Sequence, residues 1–273
     1  LLTASVTLLI LALSRSGLDT GSDRVAWLMP AYLGAVVCAV LLVKVERQAP
    51  EPMVPVDLLA DKMVAAIAGT GLLVGVGMFG VIAYVPLFVQ EGLGGGAVEA
   101  GQALTPLILG WVVTSIITGR IVLKVGYRPL VLAGLACITL AFAGFAWVTA
   151  TQSSWLLRAD LALMGTGMGM TILSLVLAMQ NVVARRHLGV ATSFGQFTRS
   201  IGGAVGVALL GAVIGATLPS DRDPVAADMI QGIHRAFWLA AVVSGAAAVA
   251  ALWIPSGRPV DLIHPDHADD RQS

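Results

Sequence analysis

Residues that could do chemistry are few in this chain, and they are scattered through apolar sequence. Gln196, Thr198, Arg199 and Ser200 stand together, Asp160 follows Arg158 by two residues, and Gly165, Gly167 and Gly169 spell G-x-G-x-G. Each pattern points to a definite chemistry. A carboxylate embedded in lipid can relay protons, and an embedded guanidinium seeks a carbonyl or carboxylate partner, so both are functional candidates by default. The glycine pattern would cradle a dinucleotide only after a strand and at a helix start. Here it lies inside an apolar run, where the spacing of Gly165 and Gly169 instead suits close helix packing, as does that of Gly202 and Gly206, and of Gly211 and Gly215. His264 and His267 lie in a polar tail, and Cys38 and Cys137 lie in apolar runs. They are too few for a metal cluster or a disulfide framework. The sequence shows no nucleophile–base pair, so the expectation is no enzyme, no metal and no cofactor.

The elements that must position these residues are set by charge-free runs. Residues 25–43, 63–90, 101–119, 130–157, 161–183, 200–218 and 236–254 hold no Asp, Glu, Lys or Arg, and 1–13 reads as a truncated eighth run. Crossing a hydrocarbon core of about 30 Å takes roughly 20 apolar residues. In lipid the backbone must satisfy its own hydrogen bonds, so such runs must be helices. Apolar residues make up 57% of the chain and charged ones 12%, against about 25% charged in soluble domains. The fold class expected is therefore an all-α membrane protein, a polytopic helix bundle. A net charge of zero with no basic cluster argues against nucleic acid as a partner. The run at 1–13 has no charged flank and no signal-peptide character, and it reads as a helix cut by the start of a fragment.

Lys and Arg concentrate in alternate connections. One set holds Lys44, Arg47, Lys62, Arg120, Lys124, Arg128, Arg185, Arg186, Arg199, Arg258 and Arg271, and the other holds Arg15, Arg24, Arg158, Arg222 and Arg235. The positive-inside rule places the first set and the C-terminus in the cytoplasm. Residues 91–100, with Gly94, Gly95 and Gly96, then form an extracytoplasmic turn, and the acidic tail from 255 reads as disordered. Pro30, Pro86 and Pro106 fall inside apolar runs and predict kinks.

Polarity divides the runs. Those at 130–150 and 236–254 carry almost no polar residue and are expected to face lipid. The runs beginning at 63, 101, 161 and 200 carry Tyr84 and Gln90; Gln102, Thr105, Thr114 and Ser115; Thr166, Thr171, Ser174, Gln180 and Asn181; and Gln196, Thr198 and Arg199 at the last one's margin. Polar groups in a membrane face the bundle interior or water. These four helices are therefore expected to line a wet pathway, with plain interhelical hydrogen bonding as the alternative. Tyr84, Gln90, Gln102, Thr114, Thr171, Gln180, Asn181, Gln196 and Arg199 are the pathway candidates. Arg158 and Asp160 point to different helix faces and follow the interfacial Trp155. An ordinary outer-interface position is expected for them, and a proton relay at Asp160 is the sharper alternative. Two readings stand for Arg199. A helix starting near Gly189 would bury it roughly 15 Å deep. A membrane starting near Gln196 would let it snorkel to headgroups, and the run 200–218 is already long enough to span.

Three segments carry a resemblance. AYVPLFVQ at 83–90 is followed by Gly101, Pro106 and Gly110, and then by GRIVLKVGYRPL at 119–130. That string is similar to the cytoplasmic loop motif of the major facilitator superfamily, Gly-x-x-x-Asp-Arg-x-Gly-Arg-Arg. Gly119, Lys124, Gly126 and Arg128 match it, Arg120 lies within it, and Leu123 replaces the Asp. LGVATSFGQFTRSIGGAVGVALL at 188–210 resembles the penultimate helix of the superfamily's fourteen-helix drug:proton antiporters of the QacA/EmrB type, where an Arg precedes close glycines.

The resemblance implies an organisation: 1–43 a truncated helix and a linker helix, 44–62 a cytoplasmic loop, 63–254 the six-helix C-terminal half, and 255–273 a cytoplasmic tail. It implies that the first, second, fourth and fifth helices of that half line the cavity, the same four that polarity selects. Its partners would be the lipid bilayer, protons, a small amphiphilic or cationic substrate, and the N-terminal half of the same protein. The function implied is proton-coupled efflux of drug-like molecules across the bacterial cytoplasmic membrane. An uptake permease for a metabolite and a non-transporting membrane subunit are the alternatives.

Overall fold

The structure is a computed structural model that describes residues 62–145, 154–183, 188–219 and 225–254. The expected helices at 1–13 and 25–43, the loop before residue 62, Pro30, Cys38, Arg185, Arg186 and the tail from 255 lie outside the described residues.

The described chain is helical: α1 Lys62–Leu87, a single π-helical turn Phe88–Gly92, α2 Ala97–Ala103, α3 Thr105–Val125, α4 Tyr127–Phe145, α5 Ser154–Val182, α6 Leu188–Thr217 and α7 Ala226–Ala251. Together α2 and α3 make one crossing, so six helical units are long and apolar enough to cross a membrane. The shortest, α4, has 19 residues, about 28 Å at 1.5 Å per residue. The chain is a multi-pass membrane protein of the all-α class.

Several boundaries differ from the expectation. The charge-free run 130–157 is shared by two helices: its residues to Phe145 belong to α4, and Trp155 belongs to α5. The turn expected at 91–100 is shorter. Glu91 and Gly92 are still helical, and α2 has begun by Ala97. Only Gly94 there takes a positive φ (+70°), and the Gly96 N–H donates to the Glu99 carboxylate at 3.1 Å to cap the start of α2. Pro106 does not kink a helix interior. It lies in the first turn of α3, where a missing N–H leaves no bond unmade. Pro86 is inside α1, just before the π turn, in which Leu93 N–H donates to the Phe88 carbonyl at 3.1 Å.

The helices interlock as two triplets. α1 packs on α6, α3 packs on α5, and α4 and α7 lie side by side while bracing α5 and α1 respectively. The first helix of each triplet thus pairs with the second of the other, and the thirds pair with each other. With three crossings per triplet the second is inverted relative to the first, the inverted-repeat plan of secondary transporters.

Glycines make the two crossed pairs possible. A Cβ on Gly75 of α1 would overlap the Arg199 carbonyl on α6, and one on Gly202 or Gly206 would overlap the α1 backbone at Leu72 or Val76. In the other pair, Gly110 of α3 lies against the Ala162 carbonyl, while Gly165 and Gly169 of α5 lie against the carbonyls of Leu107 and Trp111. Without a hydrophobic drive in lipid, such backbone approach supplies the packing energy. Gly167 faces the other way, onto the Gly134 carbonyl of α4. Successive glycines two apart on a helix point to nearly opposite sides, so G-x-G-x-G lets α5 approach two helices at once.

The third helices join through polar and aromatic contacts. Thr139 Oγ1 of α4 meets Ser244 Oγ of α7 at 3.1 Å. Phe88, Phe142, Phe145 and Phe237 form a cluster across α4, α7 and the π turn, with Phe145 and Phe237 centroids 4.9 Å apart in an edge-to-face arrangement.

Candidate functional site

Among the described residues a cleft with a charged wall opens between helices. It is narrow and open at its mouth, and it lies between α1, α5 and α6. Ile67 and Gly71 come from α1; Leu175, Val176 and Met179 from α5; and Ala191, Thr192, Gly195 and Arg199 from α6. It follows the seam where α1 meets α5, a slight contact beside the broad crossed pairs.

Arg199 is the charged group of this cleft. α6 begins at Leu188, so Arg199 lies eleven residues into the helix, about 16 Å along its axis. It is 8% exposed. Its guanidinium donates to the Gln196 Oε1 one turn earlier. Its main chain is held in the α1/α6 contact by Gly75. The side chain is buried in the bundle and donates to Gln196 on the same helix.

The other pathway candidates are dispersed. Tyr84 donates its hydroxyl to the Val207 carbonyl at 2.6 Å and clamps α1 to α6, and the space beside Gly211 is filled by that hydroxyl. Gln90 and Gln102 are exposed at the far end of the bundle. Thr114 and Ser115 are half-buried where Gly169 presses on α3, and Thr171 is fully buried against Gly134 of α4. Gln180 is half-buried near the end of α5. Asn181 donates to the Leu177 carbonyl at 2.8 Å, and its side chain lies beside the Tyr127 hydroxyl, which completes no hydrogen bond. Only Arg199 of the pathway candidates lines the cleft itself, and Gln196 reaches it through Arg199.

α3 is the least buried crossing, and its open face carries Ile108, Leu109, Val112, Val113, Ile116 and Ile117. Thr114 and Ser115 lie instead at the α3/α5 contact. α4 and α7 bury one face each against the bundle and expose the other, with Leu140 on α4 and Trp238, Val242 and Val249 on α7.

At the loop motif, Gly126 is the single residue between α3 and α4. It has φ +91° and ψ 169°, and its N–H donates to the Val122 carbonyl at 2.8 Å. That backbone region is open essentially to glycine alone. Gly119, Arg120 and Lys124 are exposed on α3, as is Leu123, and Arg128 is half-buried in the first turn of α4.

Arg158 and Asp160 separate as their spacing requires. The Arg158 guanidinium lies 5.4 Å over the Trp155 ring and is exposed. Asp160 is half-buried with its carboxylate against Gly144 of α4, and its Oδ2 has no hydrogen-bond partner.

Gly71, Gly75 and Thr192 are parts of the site that the sequence analysis did not single out. The spacing of Gly71 and Gly75 was the signal available, since it matches the small-xxx-small pairs noted elsewhere.

Crossed glycine pairs, inverted triplets and a buried cation on an interior cleft define a polytopic membrane bundle of the secondary-transporter architecture. The model of the Major Facilitator Superfamily matches residues 3–207, and the chain belongs to that superfamily. Similar proteins include the multidrug transporter protein MdtP of Bacillus subtilis, 35% identical over 77% of this chain and 39% of the relative. A tetracycline resistance determinant of Streptomyces rimosus is 29% identical over 75% of this chain and 59% of the relative. Multidrug resistance protein 3 of Bacillus subtilis is 29% identical over 72% of this chain and 39% of the relative. The chain thus spans about two fifths to three fifths of the length of these relatives.

Proposed function

We propose that this chain is the C-terminal part of a proton-coupled efflux permease for small amphiphilic compounds, of the fourteen-helix drug:proton antiporter type. The observation that carries the reading is the cleft between α1, α5 and α6 with Arg199 buried in its wall. Among the described residues Arg199 has no opposite charge beside it, and a charge inside a membrane bundle is by default a functional candidate. The relatives named as multidrug and tetracycline resistance proteins support export of drug-like molecules over uptake of a metabolite. In this reading the described six helices form one wall of the pathway, and the N-terminal half of the same protein forms the other. Alternating access is a rocking of the two halves about a site near the midplane. Loop-charge asymmetry supports a cytoplasmic C-terminus.

The test is transport of ethidium by the full-length protein in everted membrane vesicles with an imposed proton gradient. Accumulation that collapses on adding an uncoupler is expected. Equal dye content in vesicles with and without the protein would remove the reading.

A further inference from the structure

Among the described residues, Arg199 is the only charged side chain that is buried. Its guanidinium has five donors in a planar fork, and Gln196 accepts from one of its nitrogens. Gln196 is neutral, so among the described residues the charge has no opposite partner. The acidic groups of the described chain cannot reach it. Glu91 and Glu99 lie at the α1/α2 turn, Asp228 lies in the first turn of α7, and Asp160 lies fifteen residues before Leu175 on α5. All four belong to the opposite end of the bundle, and fifteen helical residues alone amount to about 22 Å. The end nearest the cleft carries Lys62 at the start of α1, Arg120 and Lys124 near the end of α3, and Arg128 in the first turn of α4. Described charge around the mouth is thus of one sign. The remaining walls, Ile67, Leu175, Val176 and Met179, are hydrocarbon. Thr192 spends its hydroxyl proton on the Leu188 carbonyl at 2.7 Å, so it faces the cleft as an acceptor only.

A buried charge persists where it is paired. We propose that Arg199 receives the carboxylate of an anionic amphiphile whose apolar body lies along Ile67, Leu175, Val176 and Met179. This rests on the efflux reading and adds to its amphiphilic substrates compounds that present a carboxylate. The fork geometry favours a planar two-oxygen anion held by two parallel N–H donors. Gln196 orients the fork from one turn below and would be released or shared as the anion enters.

The experiment compares two probes in everted vesicles containing the full-length protein: the carboxylate-bearing dye fluorescein and the cation ethidium. Unmodified protein is expected to accumulate fluorescein. Arg199→Gln and Gln196→Glu should each lower the ratio of fluorescein to ethidium uptake by about tenfold, and Arg199→Lys should restore part of it, since Lys keeps charge without the fork. Gln196→Glu adds an ion pair one turn away on the same helix and supplies the missing charge internally, so it tests the idea without exposing a hole in the fold. Ethidium transport with no fluorescein transport by the unmodified protein overturns the inference and leaves the efflux reading standing. An equal fall for both dyes in Arg199→Gln, with the ratio unmoved in Gln196→Glu, assigns the partner carboxylate to the protein itself and also overturns it. Transport of neither dye removes both readings.

Discussion

Gly75 of α1 lies so close to the main-chain carbonyl of Arg199 on α6 that a Cβ at position 75 would overlap it. The residue that carries the buried charge is therefore fixed from behind by the absence of a side chain on its neighbour. The atom in the way is backbone, which has no rotamer to yield. Gly75→Val should destabilise the protein by about 3 kcal/mol, at the upper end of overpacking costs. Gly69→Ala on the same helix, with nothing within 4 Å, should be neutral or mildly stabilising, about 0.5 kcal/mol. Thermal unfolding in detergent, followed by size-exclusion fluorescence, checks both. Equal melting temperatures for the two variants would remove the proposed α1/α6 contact.

Gly126 makes the one-residue turn between α3 and α4 in a backbone conformation with φ +91° and ψ 169°. Even Gly126→Ala should cost about 1–3 kcal/mol, because the strain comes from any Cβ and not from bulk. The yield of folded protein should fall with Ala as well as with Leu. Arg128→Asp should leave yield near normal and impair transport in the full-length protein, since it changes the charge beside the loop without straining it. Full yield for Gly126→Ala would show that the turn relaxes to another conformation.

Topology can be tested at two exposed positions. Lys124 is near the end of α3 and Val98 is in the first turn of α2, 72% exposed. They stand at opposite ends of one crossing. In a background without the native cysteines, Val98→Cys in intact cells should react with an impermeant maleimide, and Lys124→Cys should react only after permeabilisation. The reverse pattern would invert the orientation derived from loop charge. Gly95 is a poorer probe, because a Cβ there would crowd Val89 and Glu99.

Asp160 sits with a carboxylate oxygen buried and unpartnered against Gly144. Asp160→Asn keeps the shape and removes the ionisable group, so packing of α5 on α4 should survive. If this carboxylate exchanges protons, substrate-driven proton movement in proteoliposomes should drop about a hundredfold, the scale of losing one acid–base group, while substrate still binds. Normal proton movement in this variant would return Asp160 to the role of an interfacial residue.

Much of the fold was legible in the sequence because lipid imposes a simple rule. A segment without charge and of sufficient length must be a helix, and the described runs obey that. Boundaries were less legible, since the same rule says nothing about where a helix stops. The run 130–157 holds no charge, yet its first part belongs to α4 and its last residues to α5. Pro106 looked like an interior kink because the break at Leu104 leaves no mark in hydropathy. The site was legible in part. Polarity selected the helices that became α1, α3, α5 and α6, and three of them line the cleft. It could not separate a hydroxyl that lines a pathway from one that packs between helices, as Thr114 and Thr171 do. That distinction depends on where the neighbouring glycines lie, and glycine spacing shows that a close approach exists without showing which helix makes it. For Arg199 the charge-free run hid that α6 is already helical at Leu188, upstream of that run.

The alternating glycines of α5 have a mechanical consequence. Gly165 and Gly169 bring α3 into backbone contact on one side, and Gly167 brings α4 into backbone contact on the other. Contacts between main chains have no soft torsions to absorb a load, so a push on α3 passes through α5 to α4 with no slack. α3, α5 and α4, drawn from both triplets, are thereby joined as one stiff layer. Compliance in the described bundle is then concentrated at the slight seam between α1 and α5, where the cleft opens and where a small rotation changes its width most.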